Sequence, residues 1–191
     1  MTVRPMRRDD LDAAVAIHLA AFPNFFLTFL GPRFLRVFYG AVMQYGIALV
    51  ATVDDRVAGF VVGMVDSRSF YRRLLRRRFL QVAIAILPAV MRRPSTPSRV
   101  VRRALRRTGF SPSGAELMSL AVHPREQRHG LGRILVNAFI ARVHEDGTDS
   151  LWLITDAADN DAVKTFYEAL GFTVRRTFTN AEGRALVEYA R

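Results

Sequence analysis

The segment VHPREQRHGLGRILV, Val122 to Val136, joins an apolar run to an amphipathic one through two glycines spaced two apart. The run before it, AELMSLAV, reads as a strand ending at Val122, and Pro124 breaks any further ladder. GLGRILVNAFIARVHEDG then reads as a helix that starts near Gly130 and stops at Gly147. Glycine lets the backbone approach a ligand closely and adopt conformations that a Cβ resists. The first amides of a helix lack intrahelical partners and lie at the positive end of the dipole, so this strand-to-helix turn is a cradle for a phosphate. Arg125, Arg128 and Arg133 add charge beside it, or stand as ordinary solvated side chains. Two glycines at a turn also mark loops that bind nothing. The third glycine of a dinucleotide fingerprint and the G-K-[ST] of a P-loop are both missing.

The elements on either side extend an α/β pattern. TVRPM is a short strand, followed by a helix with Asp9 or Asp10 as its N-cap and Leu11, Val15, His18, Leu19 and Phe22 on one stripe. His18 reads as a packed or partly exposed helix residue rather than a catalyst. Pro32 opens a second helix, with Phe34, Leu35, Phe38, Val42 and Met43 inward, and Gly46 ends it. IALVATVDDRVAGFVVGMV is a hairpin turning at Asp54-Asp55, SLWLIT a buried strand, and NDAVKTFYEALG a helix capped by Asp159 or Asn160 and closed by Gly171. Two strands joined between Asn180 and Gly183 finish the chain. The order β-α-α-β-β, insertion, β-α-β-α-β-β predicts a mixed α/β sheet with flanking helices over 1–191, without internal repeats.

The net charge of +11 suggests a nucleic-acid partner until it is mapped. Thirteen arginines and no acidic residue lie between Ser67 and Ser113, leaving 15 basic against 17 acidic residues elsewhere. The basicity is therefore local to an insertion, 67–113. There is no cysteine, which excludes disulfides and thiolate chemistry. MTVRPMRRDD has no apolar h-region, so a cytoplasmic location is expected.

LAVHPREQRHGLGRIL resembles the acetyl-CoA-binding motif of the GNAT N-acetyltransferase superfamily, [Q/R]-x-x-G-x-[G/A], here Gln127-Arg128-His129-Gly130-Leu131-Gly132. DNDAVKTFYEALGF is similar to a later motif of the same superfamily, N-x-x-A-x-x-F-Y-x-x-x-G-F. Asn160, Phe166, Tyr167, Gly171 and Phe172 match it, while the alanine falls one place early, at Ala162. The resemblance covers Glu116 to Phe172 and implies a mostly antiparallel central sheet whose central parallel strands splay apart. It implies an acyl-CoA-dependent N-acyltransferase that passes an acetyl or other acyl group to a primary amine by direct attack in a ternary complex, without a metal.

In that scheme Leu120, Ala121 and Val122 line the pantetheine arm at a β-bulge, and the Leu120 N–H polarises the thioester carbonyl. The pyrophosphate rests on the amides from Arg128 through His129, Gly130, Leu131 and Gly132 to Arg133, with Gln127 at the edge. Tyr167 protonates the departing thiolate, or else packs in the core beside Phe166. Asn160 and Phe166 border the cofactor, and Asn160 also suits a helix cap. Glu116, six positions before Val122, is the leading base; a carboxylate there is equally an ordinary solvated strand end. His123 is a substitute base or a structural residue. Ser119 has no partners for nucleophilic work.

The aromatic segment AFPNFFLTFLGP, with Phe22, Phe25, Phe26, Leu27, Phe29 and Leu30, suits core packing or a greasy tunnel for an apolar acceptor or a longer acyl chain; recruitment of the enzyme to lipid by 70–93 would suit an amphipathic or membrane-linked amine. The insertion joins an arginine-rich turn to 13 mainly apolar residues, Phe79 to Met91, about 20 Å as a helix against the ~30 Å hydrocarbon core of a bilayer. Three roles stay open for 70–107: contact with an anionic membrane at the inner face, contact with nucleic acid (the least favoured, because its aromatics are few), or cover for the domain or a second copy in a homodimer. A non-catalytic CoA-binding protein whose insertion mediates contact is the alternative function.

Overall fold

The computed structural model describes residues 1–23, 25–92, 113–180 and 183–191. Seven strands form one sheet in the order β1-β2-β3-β4-β5-β7-β6: β1 (Thr2–Pro5), β2 (Ile47–Val53), β3 (Arg56–Met64), β4 (Ala115–Val122), β5 (Leu151–Asp156), β6 (Thr173–Thr179) and β7 (Ala185–Ala190). Every neighbouring pair is antiparallel except β4 with β5. Among the described residues the helices are α1 (Leu11–Ala21), α2 (Phe26–Leu30), α3 (Pro32–Tyr45), α4 (Ser67–Arg77), α5 (Phe79–Arg92), α6 (Leu131–Glu145) and α7 (Asp161–Glu168). The predicted α/β class and element order are observed, with α2 as an added short turn of helix.

Period-2 alternation along the strands sends side chains to two cores. On one face Val50, Phe60, Val62 and Met64 pack with α1, α3, α4 and α5. On the other, Val61, Leu117, Leu153 and Tyr189 pack with Leu131, Leu135 and Phe139 of α6 and Tyr167 of α7. The β2–β3 turn holds both Asp54 and Asp55 at positive φ, +47° and +61°, which matches the twist a two-residue hairpin requires.

Two expected caps are made differently. Asp10 stands at the N-cap position of α1 but makes no side-chain cap bond there. Its carboxylate instead accepts from the Arg7 N–H (2.7 Å) and from both Arg4 guanidinium nitrogens (2.6 and 2.9 Å), and the Arg4 contact holds its pKa below the usual range. Asn160 likewise occupies the N-cap position of α7 without a side-chain cap bond. Its amide donates backward to Thr155 Oγ1 (2.8 Å) and the Asp156 carbonyl (3.1 Å), tying the helix to the end of β5.

His18 is more deeply packed than its amphipathic stripe implied, with 1% of its surface exposed. Nδ1 lies 2.6 Å from the Tyr39 hydroxyl, and Nε2 has no hydrogen-bond partner among the described residues. Burial pushes the imidazole down to about 4 from 6.5. Because the unfolded chain binds this proton first, the His18 contribution to stability is complete above pH 6.5, declines as pH falls, and levels off below about 4. The expected loss is about 3 kcal/mol. Urea unfolding across that window measures it, and His18→Leu should flatten that component of the profile; an equal slope in the variant would place the sensitivity elsewhere.

The insertion divides between described and undescribed residues. Asp66 caps α4 by accepting from the Ser69 N–H (3.0 Å), and α5 runs on through Pro88 to Arg92. The RRPSTPSR hinge and the basic VVRRALRRTGF segment fall almost entirely on 93–112, outside the described residues.

Candidate active site

Strands β4 and β5 pair for only three residues, Ala115 with Leu151, Glu116 with Trp152 and Leu117 with Leu153. Beyond Leu117, β5 stays paired with β7 through Asp156, and β4 stays paired with β3 through Val122. The two central strands therefore part. The β3–β4 register slips between Val62 and Gly63, which leaves Met118 as the extra residue of a bulge. The bulge puts Met118 and Ser119 on the same side, toward α1 and α3, and returns Leu120 and Val122 to the α6 side.

The direction of the freed amides follows from one bond. The His123 N–H donates to the Ala58 carbonyl on β3 (2.8 Å). Alternation along the strand then points the Val122 and Leu120 N–H groups the other way, into the opening beside β5. Gln127 Nε2 donates to the Val122 carbonyl (3.2 Å), so this side chain braces the mouth of the opening.

The opening runs into the glycine turn. Pro124–Glu126 form a 3₁₀ turn steadied by His123 Nδ1, which accepts from the Arg125 N–H (3.3 Å). Arg128 and Gly130 then take positive φ, +68° and +78°, and α6 begins at Leu131. Leu131 is buried and anchors the first turn, whereas Gln127, Arg128, His129, Gly130 and Arg133 are exposed. The first intrahelical bond is Ile134 N–H to the Gly130 carbonyl (3.1 Å), so the N–H groups of Leu131, Gly132 and Arg133 have no acceptor within the helix. A Cβ at Gly132 would come to 3.3 Å from the Phe166 ring, so the missing side chain lets α7 close on this turn.

Phe166 and Tyr167 stand together on α7. The Tyr167 ring meets Phe166 and Phe172 edge-on, with centroids 5.1 and 5.5 Å away, and only 6% of its surface is exposed. Burial pushes its phenol up, which keeps it protonated at neutral pH. Both roles weighed for this tyrosine, core partner and proton donor, are compatible with this setting.

Glu116 differs from the solvated strand end that its position suggested. It is 2% exposed and accepts a hydrogen bond from Ser67 Oγ (2.5 Å), where α4 begins. It lies on the still-paired stretch of β4, four residues and so about 13 Å of strand from Leu120.

Three polar groupings on the same sheet face as Glu116 escaped the sequence reading. The Tyr39 phenol, pushed up by burial, lies between His18 and Ser119, which connects α1 and α3 to the bulge. Glu188, 1% exposed on β7, is gripped by Arg176 (2.7 and 2.9 Å) and approached by Arg175 (3.6 Å). Asp156 and Arg184 form a two-pronged pair, and the Arg184 guanidinium stacks on the Phe25 ring at 4.8 Å. An acidic residue alternating with Val187 and Tyr189 inside a strand was the available signal for Glu188. Nothing local marks Arg184. No cluster of three or more His, Asp or Glu suited to a metal ion occurs among the described residues, and none of their helices is long and apolar enough to cross a membrane.

Comparison with known proteins bears on this geometry. The sequence model described as the Acetyltransferase (GNAT) family matches residues 17–172. The [ribosomal protein bS18]-alanine N-acetyltransferase of Escherichia coli strain K12 is 42% identical over 67 residues, 34% of this chain and 45% of that protein. Mycothiol acetyltransferase of Kocuria rhizophila is 40% identical over 65 residues, 34% of this chain and 21% of that protein. The matched stretches thus make up less than half of either relative's length. The crystal structure of the ribosomal-protein-S18-alanine N-acetyltransferase from Escherichia coli superposes with a TM-score of 0.62 at 20% identity, covering 99% of this chain and 91% of that one, which is a likeness of fold. Parted central strands, a bulge, a glycine turn at a helix start and a family match over most of the sequence lead to one statement: the chain belongs to the acetyltransferase (GNAT) family.

Proposed function

We propose that the protein is an acyl-CoA-dependent N-acyltransferase, a single catalytic domain over 1–191 that carries the 67–113 insertion. The observation that carries this reading is the parting of β4 from β5 after Leu117 and Leu153, which opens a row of strand amides leading straight to the Gly130 turn. The fit of the coenzyme is supported by open space at Gly130, where a Cβ would meet nothing within 4 Å, and by the acceptor-free amides of Leu131 to Arg133.

Leu120 and Val122 hold the pantetheine arm through their freed amides, while Ala121 between them, also expected there, is paired with Phe60 of β3 and buried on the other face; Arg128, His129, Gly130, Leu131, Gly132 and Arg133 hold the diphosphate. Gln127 and Asn160 keep the two ends of the opening in place, with Phe166 closing one side. Bound acyl-CoA supplies the activated acyl group as a thioester. The Leu120 N–H stabilises the negative charge that develops on the thioester carbonyl oxygen. Tyr167 gives its proton to the departing thiolate, a transfer that suits a buried phenol kept neutral. Glu116 takes the proton of the acceptor ammonium through intervening water, since the strand spacing separates it from Leu120. The acceptor is a primary amine. The name of one relative, the ribosomal-protein-alanine N-acetyltransferase, points to nitrogen acylation. An amphipathic acceptor is part of this reading, although Phe26 and Phe29 of α2 themselves pack partly buried against the core.

Incubation with acetyl-CoA and a panel of amines, followed by release of free thiol, tests the proposal. Turnover with at least one amine is the expected result; coenzyme binding without thiol release would favour a non-catalytic binding protein. Glu116→Gln preserves the acceptor for Ser67 Oγ and should lower kcat/KM about 100-fold. An unchanged kcat/KM in that folded variant would move the base elsewhere.

A further inference from the structure

Helix α5 has two apolar faces where a surface helix needs one. Val82, Ala85, Ile86 and Ala89 are buried in the core shared with α3. On the other side Leu80, Ile84, Leu87 and Met91 are 72%, 65%, 54% and 79% exposed, with Phe79 at 62% beside them. The spacing 80, 84, 87, 91 lines these four along one stripe about 16 Å long. Exposed arginines bracket it: Arg76 and Arg77 at the end of α4, and Arg92 at the last position of α5. None of the three has a carboxylate partner among the described residues, and no Asp or Glu occurs anywhere in 67–113.

We propose that this stripe is a docking surface for an anionic phospholipid bilayer, with α5 lying in the plane of the interface and its bracketing guanidinium groups on the lipid phosphates. This goes beyond the acyltransferase reading and does not depend on it. An aliphatic stripe between cationic ends matches the layered chemistry of such a surface, apolar below and anionic above. A second copy matches it poorly, because either antiparallel or parallel pairing of two α5 helices sets arginines against arginines. Nucleic acid matches it poorly too, because leucine, isoleucine and methionine offer no face on which bases stack. The structure also narrows the surface read from the sequence: Phe70 and Leu74 of α4 are buried in the core and face no lipid.

Co-sedimentation of the full chain with phosphatidylcholine vesicles, with and without phosphatidylglycerol, tests the proposal. The chain is expected to bind the anionic vesicles, to release as salt is raised, and to ignore the neutral ones. The double variant Leu80→Gln, Leu87→Gln should weaken binding at least about tenfold. Arg76→Gln with Arg77→Gln should weaken it about fivefold per arginine. Both pairs are solvent-exposed, and unchanged circular dichroism checks that they fold. Absence of vesicle binding by the folded wild type would overturn the proposal. So would binding indifferent to Leu80 and Leu87, a lipid-free dimer dissociated by that same pair, or preferred binding of a short DNA duplex that depends on the arginines alone. Acetyl-CoA turnover is measured separately, so failure of the lipid proposal and failure of the acyltransferase reading are distinguishable.

Discussion

Gly130→Val is expected to weaken acetyl-CoA binding about 100-fold, read by titration calorimetry, with kcat at saturating coenzyme changed far less. At φ +78° Gly130 sits in the left-handed region, where an ordinary L-residue pays roughly 1–2 kcal/mol. Valine relieves that strain by leaving the conformation, and the turn then loses the alignment of the Leu131, Gly132 and Arg133 amides. Each charge-assisted hydrogen bond to a phosphate is worth about 1.5–3 kcal/mol, so losing one and part of another accounts for the factor. Core packing does not contribute, because a Cβ at Gly130 meets nothing within 4 Å. Gly132→Val differs in kind: its side chain presses on Phe166, so α7 must shift as well. Unchanged affinity in a folded Gly130→Val protein would remove this turn from the binding site.

Tyr167→Phe carries the second large effect, a fall in kcat of about 10²–10⁴ with acetyl-CoA affinity held within about twofold. The substitution keeps the ring, and with it the edge-on contacts to Phe166 and Phe172 and the tilted approach to Tyr189, so the helix stays seated. Only the hydroxyl is lost. In the wild type, burial keeps that phenol protonated through neutral pH, ready to donate to a thiolate rather than to accept. Steady-state kinetics paired with calorimetry separates the outcomes: a drop in kcat alone marks the proton donor, whereas an unchanged kcat leaves Tyr167 as a core residue.

How far the sequence carried this account depended on whether the controlling interaction was local. The strand, glycine turn and helix from Ala115 to Glu145 were legible because hydrophobic period, Pro124 and two glycines all act within a few residues of themselves. The hairpin at Asp54-Asp55 was legible for the same reason. The burial of Glu116 was not, because it depends on α4 arriving from the insertion and bringing Ser67 to the carboxylate. Nor was the line from His18 through Tyr39 toward Ser119, which joins residues far apart in the chain. Asp10 and Asn160 were recognised as cap-type residues and do stand at helix starts. Their side chains bond elsewhere because Arg4 and the end of β5 compete for them. In the insertion, composition marked an arginine-rich turn joined to 13 mainly apolar residues but could not tell which of them the core would take, and α5 proves to bury one apolar face and expose the other.

The central claim is that the coenzyme lies in the opening between β4 and β5, with its diphosphate at the start of α6. The most direct test is the amide spectrum of the isotope-labelled chain as CoA is added. The account predicts that the largest shifts belong to Leu120, Val122 and the run from Gly130 to Arg133, saturating at one CoA per chain. Shifts confined to other parts of the sheet, or none at all in well-folded protein, would contradict it.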